Sequence, residues 1–284
     1  MARLNSIKLK MLNSMRHFLS AYLRHYAWPI SLLNRRFNYD KYYQAKDILI
    51  NLGGGPYFRR KGWLNADYLP DHNEDKEKVH LDLSDALDEL PFSNVQAYFM
   101  SHVLEHFHYE DGCRLLKSIH KSMKDGGILR VVVPDADLIL NRARENDLEY
   151  FDPLLPFFKI KNKLDVTCAD HALNLLSQPR CFYSNDNANI NTKGKEKDFG
   201  VRLRKDSNDD IISYLNKHDF DQNDRGSLHL AAYNENNIIE ALKDSGFSVC
   251  YKSAFMQSKF ARMREVPLFD STHPWLSLYV EAVK

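Results

Sequence analysis

The chain has 284 residues, with 39 lysines and arginines against 38 aspartates and glutamates and a formal net charge of +1. This length suits one sheet-based domain with an elaborated insertion and is short for two full domains. The balanced charge and the lack of a basic stripe with interleaved aromatic residues disfavour a nucleic-acid partner.

The amino-terminal segment, residues 1–45, is basic and has the apolar spacing of an amphipathic helix. Seven lysines and arginines precede the first acid, Asp40, and Pro29 should end or kink the helix. Such a helix can lie on an anionic membrane surface, act as a mitochondrial transit peptide, or cover one face of the sheet. The seven basic residues ahead of Asp40 are Arg3, Lys8, Lys10, Arg16, Arg24, Arg35 and Arg36.

Cysteine usage and hydropathy favour a cytoplasmic protein. Cys113, Cys168, Cys181 and Cys250 are widely spaced and include no Cys-x-x-Cys pair, which indicates a reducing compartment rather than a disulfide framework or a structural zinc site. No run approaches the roughly 18 apolar residues of a spanning helix, and no signal-peptide core is visible, so we do not expect secretion. Peripheral membrane contact through the amino-terminal helix stays open.

From residue 46 onward, apolar runs alternate with turns and a helical pattern. Strands are predicted at Ile48–Ile50, Trp63–Asp67, Val79–Leu83, Ala97–Met100 and Ile128–Val133. A helix with apolar positions from Cys113 to Met123 separates the last two, and a turn is predicted at Lys124–Gly127. The link from the first strand to the second is too short for a normal crossover helix, so that helix must be vestigial or replaced.

The pattern loosens in an insertion, and possible lid, at about residues 140–227, where Ser184–Asp198 is predicted to be a loop. Helices at Asp209–Lys217 and Asn234–Lys243 and strands at Val249–Phe255 and Leu276–Val283 follow. We predict a Rossmann-like, doubly wound α/β domain over residues 46–284, with seven mostly parallel strands and helices on both faces.

The stretch Asn51-Leu52-Gly53-Gly54-Gly55-Pro56 directly follows the first strand. Glycine reaches positive φ without steric cost and lets the backbone approach a ligand closely, as in nucleotide-type cofactor sites. Asp67 ends the second strand, where a carboxylate can accept hydrogen bonds from both hydroxyls of a ribose. A tight turn and a surface acid are the competing interpretations.

These residues resemble class I S-adenosylmethionine-dependent methyltransferases, and especially a small bacterial-type group with a His-x-Leu-Glu-His block and a Lys-x-Gly-Gly turn. Residues 47–138 carry most of the resemblance. The carboxy-terminal part is similar at His229, Tyr233-Asn234, Ala241-Leu242, Gly246-Phe247 and Ser277 to Ala282. The resemblance implies S-adenosylmethionine as the cofactor and methyl transfer as the activity.

Carried over to this chain, the resemblance implies that Gly53 and Gly55 cradle the methionine part of the cofactor and that Asp67 binds the ribose. It implies that Asp82 and the Leu83 backbone read the adenine edge. The full predicted cofactor set is Asn51, Gly53, Gly54, Gly55, Asp67, Asp82, Leu83, Ser101 and His102.

Two positions depart from the family pattern. Asn51 stands where an acid is common, so it can accept a hydrogen bond from the cofactor ammonium but brings no charge. Tyr57 or Phe58 stands where a third glycine is expected. The incomplete glycine pattern, and the early position of Asp67 relative to the usual spacing of roughly 20 residues, disfavour a nicotinamide enzyme.

The block His102-Val103-Leu104-Glu105-His106 also matches the His-x-x-Glu-His pattern of inverted zinc peptidases. If the block is helical, His102 and His106 share a face and can ligate zinc, with Glu105 as the base for a bound water. Because the block begins at the end of a strand and the sequence marks no third protein ligand, we predict no metal site. Packing or capping roles for the histidines stay open.

We therefore predict methyl transfer to an oxygen or nitrogen of a small-molecule or saccharide acceptor. The candidate catalytic residues are Glu105, His106, Asp135 and His229, because they should lie near the carboxyl ends of strands. For His229 a packing or capping role is the alternative. The saccharide guess rests on association with the family alone. A zinc-dependent hydrolase and a non-catalytic regulatory protein that binds the cofactor are the rival hypotheses, and the oligomeric state is not predicted.

Overall fold

The computed structural model describes residues 47–55, 58, 60–68, 78–154, 167–177, 192–217, 229–265 and 268–284. The predicted amino-terminal helix of residues 1–45 lies outside these residues, as do Pro56 and Tyr57 of the glycine turn. The division into residues 1–45 and 46–284 stays a prediction. All the predicted catalytic and cofactor-binding residues lie within the described part of the chain.

The described residues contain seven strands. They are β1 (Ile48–Leu52), β2 (Leu64–Asp67), β3 (Lys78–His80), β4 (Val95–Ser101), β5 (Met123–Pro134), β6 (Val249–Lys252) and β7 (Ser277–Val283). These strands form one sheet in the order β3-β2-β1-β4-β5-β7-β6. The pairs among β1 to β5 are parallel, and β7 is antiparallel to both β5 and β6. The predicted seven-stranded, mostly parallel α/β sheet is confirmed.

The described residues also contain seven α-helices. They are α1 (Tyr109–Ser122), α2 (Ala136–Arg144), α3 (Leu148–Phe151), α4 (Cys168–Ser177), α5 (Thr192–Lys205), α6 (Asn208–Lys217) and α7 (Glu235–Asp244). Short 3₁₀ turns occur at Leu83–Asp85, Leu104–His106, Asp152–Leu154 and Ala261–Met263. Among the described residues, none of the helices is long and apolar enough to cross a membrane.

The sheet reverses its direction of growth between β1 and β4. From β1 the chain adds β2 and β3 on one side, and then returns to place β4 and β5 on the other. All five residues of β1 are buried, as expected for a central parallel strand that is covered on both faces. In open parallel sheets, ligands bind beyond the carboxyl ends of the strands at such a switch point. The glycine turn that follows β1 lies there.

Two predicted loops differ from the structure. The predicted turn at Lys124–Gly127 is a bulge within β5, because Met123 pairs with Val95 while Ile128 pairs with Ala97. The predicted loop Ser184–Asp198 is wrong for residues 192–198, which belong to α5, and its earlier part lies outside the described residues. Tertiary packing explains α5, whose Phe199 and Leu203 are buried in the core of the insertion.

The insertion forms a helical core of its own. Apolar side chains of α2, α4, α5 and α6 pack together around Phe151, which is fully buried. Ala232 and Leu276, from outside the insertion, join this cluster. The insertion is thereby packed against the chain that follows it, near the carboxyl ends of β5 and β4.

Candidate functional site

The glycine turn after β1 is tied to β2 by hydrogen bonds. Gly53 and Gly55 have φ of +67° and +65°, values that L-residues with a Cβ rarely adopt. The Gly55 N–H donates to Oδ2 of Asp67 at 2.7 Å, and Nδ2 of Asn65 donates to the Gly55 carbonyl at 2.8 Å. The turn is therefore held in one conformation by two polar side chains of β2.

The three glycines differ in what surrounds them. A Cβ at Gly53 would lie 2.5 Å from Cγ2 of Val103, and one at Gly54 would overlap the Asn51 and Asn65 side chains. A Cβ at Gly55 would meet no atom within 4 Å. Side chains of the protein fill the space at the first two glycines, whereas Gly55, alone of the three, faces space that is open among the described residues.

Asn51 and Asp67 are both buried, at 2% and 4% exposure, and both support the turn. Nδ2 of Asn51 donates to Oδ1 of Asn65 at 3.2 Å, so the three polar groups and the Gly55 backbone form one network. Sequence reasoning missed Asn65. The available signal is its position two residues before Asp67, which puts both side chains on the same face of β2.

Asp82 and Leu83 follow β3 at the same edge of the sheet. The Leu81 N–H donates to the Asp67 carbonyl at 2.9 Å, which places this segment beside the end of β2. Asp82 accepts a 2.9 Å hydrogen bond from the Ser84 N–H and so caps the short turn at Leu83–Asp85. Asp67, expected to bind the ribose, and Asp82 and Leu83, expected to contact the adenine, are thus neighbours at the carboxyl edge of the sheet.

Ser101 and His102 end β4. The Ser101 hydroxyl is buried and has no hydrogen-bond partner among the described residues. His102 has φ of +53°, and its Nε2 lies 2.9 Å from Oγ of Ser277, which itself donates to the His273 carbonyl. Nδ1 of His102 lies 3.0 Å from Oε1 of Glu105. Because both of its ring nitrogens are engaged by protein groups, His102 is not available as a metal ligand.

Glu105, His106 and His229 form one cluster. Each offers a ligand atom, and these atoms lie within 4.8 Å of one another. The rings of His106 and His229 meet edge to face, with centroids 5.0 Å apart. His102 and His106 do not share a helix face, which the zinc-peptidase alternative requires, because the block runs from a strand end into the 3₁₀ turn at Leu104–His106. The third member of the cluster, His229, is a predicted catalytic residue that the sequence did not mark as a metal ligand.

Backbone contacts bring His229 to this cluster. The N–H groups of Leu230 and Ala231 donate to the Glu105 carbonyl, at 2.7 and 3.2 Å. Nδ1 of His229 lies 2.6 Å from the Leu175 carbonyl at α4 of the insertion. Since a carbonyl oxygen only accepts, Nδ1 carries the proton, and the lone pair of the neutral ring is on Nε2.

The cluster combines a charged carboxylate with a neutral imidazole. Burial opposes ionisation of Glu105, but the hydrogen bond and charge of His102, helped by His229 and His106, hold the pKa of the carboxyl at about 2. Burial lowers the pKa of His229 to about 4, against the attraction of Glu105. Oε2 of Glu105 is buried and has no hydrogen-bond partner among the described residues.

Asp135 lies beside the cluster without joining it. It follows β5 and caps α2, because its carboxylate accepts a 3.1 Å hydrogen bond from the Leu138 N–H. Burial raises the pKa of this carboxyl. Asp135 also bridges to Tyr233, which fixes the segment that carries His229 against the end of β5. The carboxylate of Asp135 therefore has a structural role already.

No protein-family model matches the chain, and no curated protein sequence matches it. Solved structures match the fold weakly. One is an S-adenosylmethionine-dependent methyltransferase from Mesorhizobium loti, at 17% identity over 91% of this chain and 97% of that one, with a TM-score of 0.42. Another is a methyltransferase of this cofactor class from Archaeoglobus fulgidus, at 13% identity over 95% and 94%, with a TM-score of 0.40.

A third structure is the S-adenosylmethionine-dependent methyltransferase SibL in its apo form, at 10% identity and a TM-score of 0.37. The alignment covers 93% of this chain but only 57% of SibL. Likenesses at this level of identity and TM-score do not assign an activity to the chain.

Proposed function

We propose that the protein is an S-adenosylmethionine-dependent methyltransferase that acts on an oxygen or nitrogen of a small-molecule or saccharide acceptor. The observation that carries this proposal is Gly55, whose Cβ position is open and lies at the switch point between β1 and β4. Open space directly beside the backbone of a glycine turn fits a cofactor that is held against that backbone.

In this proposal, different residues of the chain bind different parts of the cofactor. The Gly53–Gly55 backbone approaches the methionine part, Asp67 accepts from the ribose hydroxyls while it holds Gly55, and Asp82 with the Leu83 backbone lies beside the adenine. Ser101 and His102 line the floor of the site, and the Ser101 hydroxyl, which has no partner among the described residues, can form a hydrogen bond with the ligand. Asn51 accepts a hydrogen bond from the cofactor ammonium, while its Nδ2 donates to Asn65.

The acceptor would bind at the cluster of Glu105, His106 and His229. When bound, the cofactor supplies a methyl group on a sulfonium, which an acceptor oxygen or nitrogen displaces in line. The chain's contribution is to orient the acceptor and to remove its proton. His229 suits proton removal because its Nδ1 donates to Leu175 and so directs the lone pair to Nε2. His106 is the second candidate, since its ring contacts His229.

Calorimetry with S-adenosylhomocysteine tests the cofactor site. Gly55→Ala should lower the affinity by at least about tenfold, because the added methyl group takes ligand space. Gly126→Ala is the matched control: Gly126 has φ of +74°, its Cβ would also meet nothing within 4 Å, and it lies at the amino end of β5, away from the site. Both variants carry the same backbone strain, so only ligand contact separates them.

Failure of the wild-type protein to bind S-adenosylhomocysteine would refute the proposal, and equal affinity in the two variants would remove the glycine turn from the site. Binding without methyl transfer to any acceptor would favour the regulatory alternative. A screen of glycans and small molecules with a radiolabelled methyl donor identifies the acceptor. Hydrolysis that depends on added zinc, together with no nucleoside binding, would favour the zinc hydrolase.

A further inference from the structure

We propose that Glu105, His106 and His229 form a binding site for one divalent transition-metal ion, with zinc as the reference ion. The three side chains come from two distant parts of the sequence, and their ligand atoms lie within 4.8 Å of one another. The site is a property of these residues alone and does not require the chain to be a methyltransferase.

The donor set is the first support. Two imidazoles and one carboxylate are a ligand set of zinc sites in which a fourth position stays open to water or substrate. Imidazole also suits copper, iron and nickel, whereas magnesium and calcium prefer sites made of oxygen donors alone. The cluster therefore favours a transition metal over the hard cations.

The carboxylate is the second and independent support. Glu105 is 1% exposed, and its Oε2 has no hydrogen-bond partner among the described residues. A buried carboxylate oxygen without a partner is costly, and coordination of a cation is one of the few ways to satisfy it. His106 and His229 are the groups that share its surroundings in the cluster.

Contacts around the ligands are the third support. Nδ1 of His229 donates to the Leu175 carbonyl at 2.6 Å, which fixes the ring and leaves Nε2 as the metal-binding nitrogen. His102 lies 3.0 Å from Oε1 of Glu105 and is itself held by Ser277. Metal-bound histidines usually donate their other N–H to a carbonyl or carboxylate, and bound carboxylates are usually held in turn, so both features are typical of a metal site.

The ligand atoms of the cluster lie up to 4.8 Å apart, slightly farther than they would around a bound zinc ion. Tetrahedral zinc with bonds of roughly 2.0 to 2.2 Å holds its ligand atoms about 3.3 to 3.6 Å apart. The 4.8 Å spread would therefore close by roughly an ångström or so on metal binding, which small side-chain rotations of His106 and Glu105 supply. The backbone hydrogen bonds from Leu230 and Ala231 to Glu105 keep the two segments together throughout.

The open coordination position also narrows the class of acceptor, and this step rests on the proposed methyl transfer. An acceptor hydroxyl can complete the coordination and become more acidic on binding, so that water takes its proton while the lone pairs of His106 and His229 bind the metal instead of acting as bases. An acceptor amine without a neighbouring oxygen fits this position less well. Oxygen acceptors are therefore the first class to screen with metal present.

Calorimetric titration of the full, tag-free chain with zinc chloride, after removal of bound metal by a chelator, tests the site. We expect one zinc ion per chain, and a loss of affinity of at least about 10²-fold in His106→Ala and in His229→Ala. His80→Ala is the matched control, since His80 is an exposed histidine at the end of β3. The zinc affinity of this variant should equal that of the wild-type protein. Cobalt(II) absorbance in the visible range gives a second measurement of coordination.

No saturable zinc binding at one equivalent, or equal zinc affinity in the His106→Ala, His229→Ala and His80→Ala proteins, would overturn the site. If an alanine variant does not fold by circular dichroism, His106→Gln and His229→Gln replace it and carry the same expectations. S-adenosylhomocysteine affinity is measured in the same metal-free protein. Zinc binding without nucleoside binding refutes the methyltransferase and leaves the metal site, and the converse refutes the metal site alone.

Discussion

The Gly55 N–H donates a 2.7 Å hydrogen bond to the carboxylate of Asp67. The acid that the proposed site uses for ribose is thus also the acid that holds the glycine turn in its conformation. Asp67 is 4% exposed, so this hydrogen bond is largely shielded from water. Any substitution of Asp67 acts on both the turn and the ligand, and the two effects must be separated by the choice of side chain.

Asp67→Asn keeps an oxygen that can accept from Gly55 but loses the charge. We expect cofactor affinity to weaken by about 1.5 to 3 kcal/mol, with little change in the free energy of unfolding. Asp67→Ala also removes the acceptor for Gly55 and should destabilise the fold by about 1 to 3 kcal/mol. Calorimetry with S-adenosylhomocysteine and urea unfolding measure the two quantities. Unchanged affinity in Asp67→Asn would restrict Asp67 to its role in the turn.

Gly53→Ala should destabilise the protein rather than block a ligand, because the new Cβ would lie 2.5 Å from Cγ2 of Val103. Left-handed backbone strain of about 1 to 2 kcal/mol adds to overpacking of about 1 to 3 kcal/mol. Val103→Ala in the same chain removes the clash, so the double variant should be more stable than the sum of the two single effects. Additive free energies from urea unfolding would show that the two positions do not compete for space.

His106→Asn should lower turnover by roughly 10² to 10⁴-fold while S-adenosylhomocysteine affinity changes little, since the loss concerns the acceptor site. The measurement needs an acceptor from the radiolabel screen, with cofactor affinity determined alongside. His80→Asn serves as the control, because His80 is exposed on β3. Full activity in His106→Asn would exclude His106 from catalysis, and loss of cofactor binding would make it a pocket residue.

Asp135→Asn should preserve both stability and turnover, because asparagine caps a helix as well as aspartate does and can still accept from the Leu138 N–H. Asp135→Ala should cost about 0.5 to 2 kcal/mol of stability by the loss of that cap. Thermal or urea unfolding of the two variants distinguishes the cases. A folded Asp135→Asn protein without turnover would instead identify Asp135 as the catalytic base.

Asp270→Ala should destabilise the protein by up to about 3 to 5 kcal/mol, since it leaves the buried Arg130 guanidinium with Glu281 as its one remaining carboxylate partner among the described residues. Asp270 accepts two hydrogen bonds from Arg130, at 2.8 and 2.6 Å, and both residues are buried. The control is Asp88→Ala, which removes an exposed two-point partner of Arg114 and should change the unfolding midpoint little. Equal shifts of the urea unfolding midpoint in Asp270→Ala and Asp88→Ala would contradict the expectation that the buried ion pair stabilises the fold more than the exposed one.

Local patterns in the sequence determined much of the fold. The apolar run before Asn51 predicted β1, and the sheet formed as expected because alternating strands and helices allow few other arrangements. The helix predicted at Asn234–Lys243 is observed at Glu235–Asp244, and Asn234 caps it instead of belonging to it. Each of these features depends on residues that are close together in the chain.

Tertiary structure alone decided the contents of the site. Only folding brings His229 to His106, and only the packing of α4 in the helical core of the insertion places the Leu175 carbonyl against the His229 ring. The space at Gly53 and Gly54 is taken by side chains whose positions no local pattern reveals, which leaves Gly55 as the open glycine. Local propensity specifies strands and caps, but burial, side-chain pairing and free space depend on contacts between remote segments.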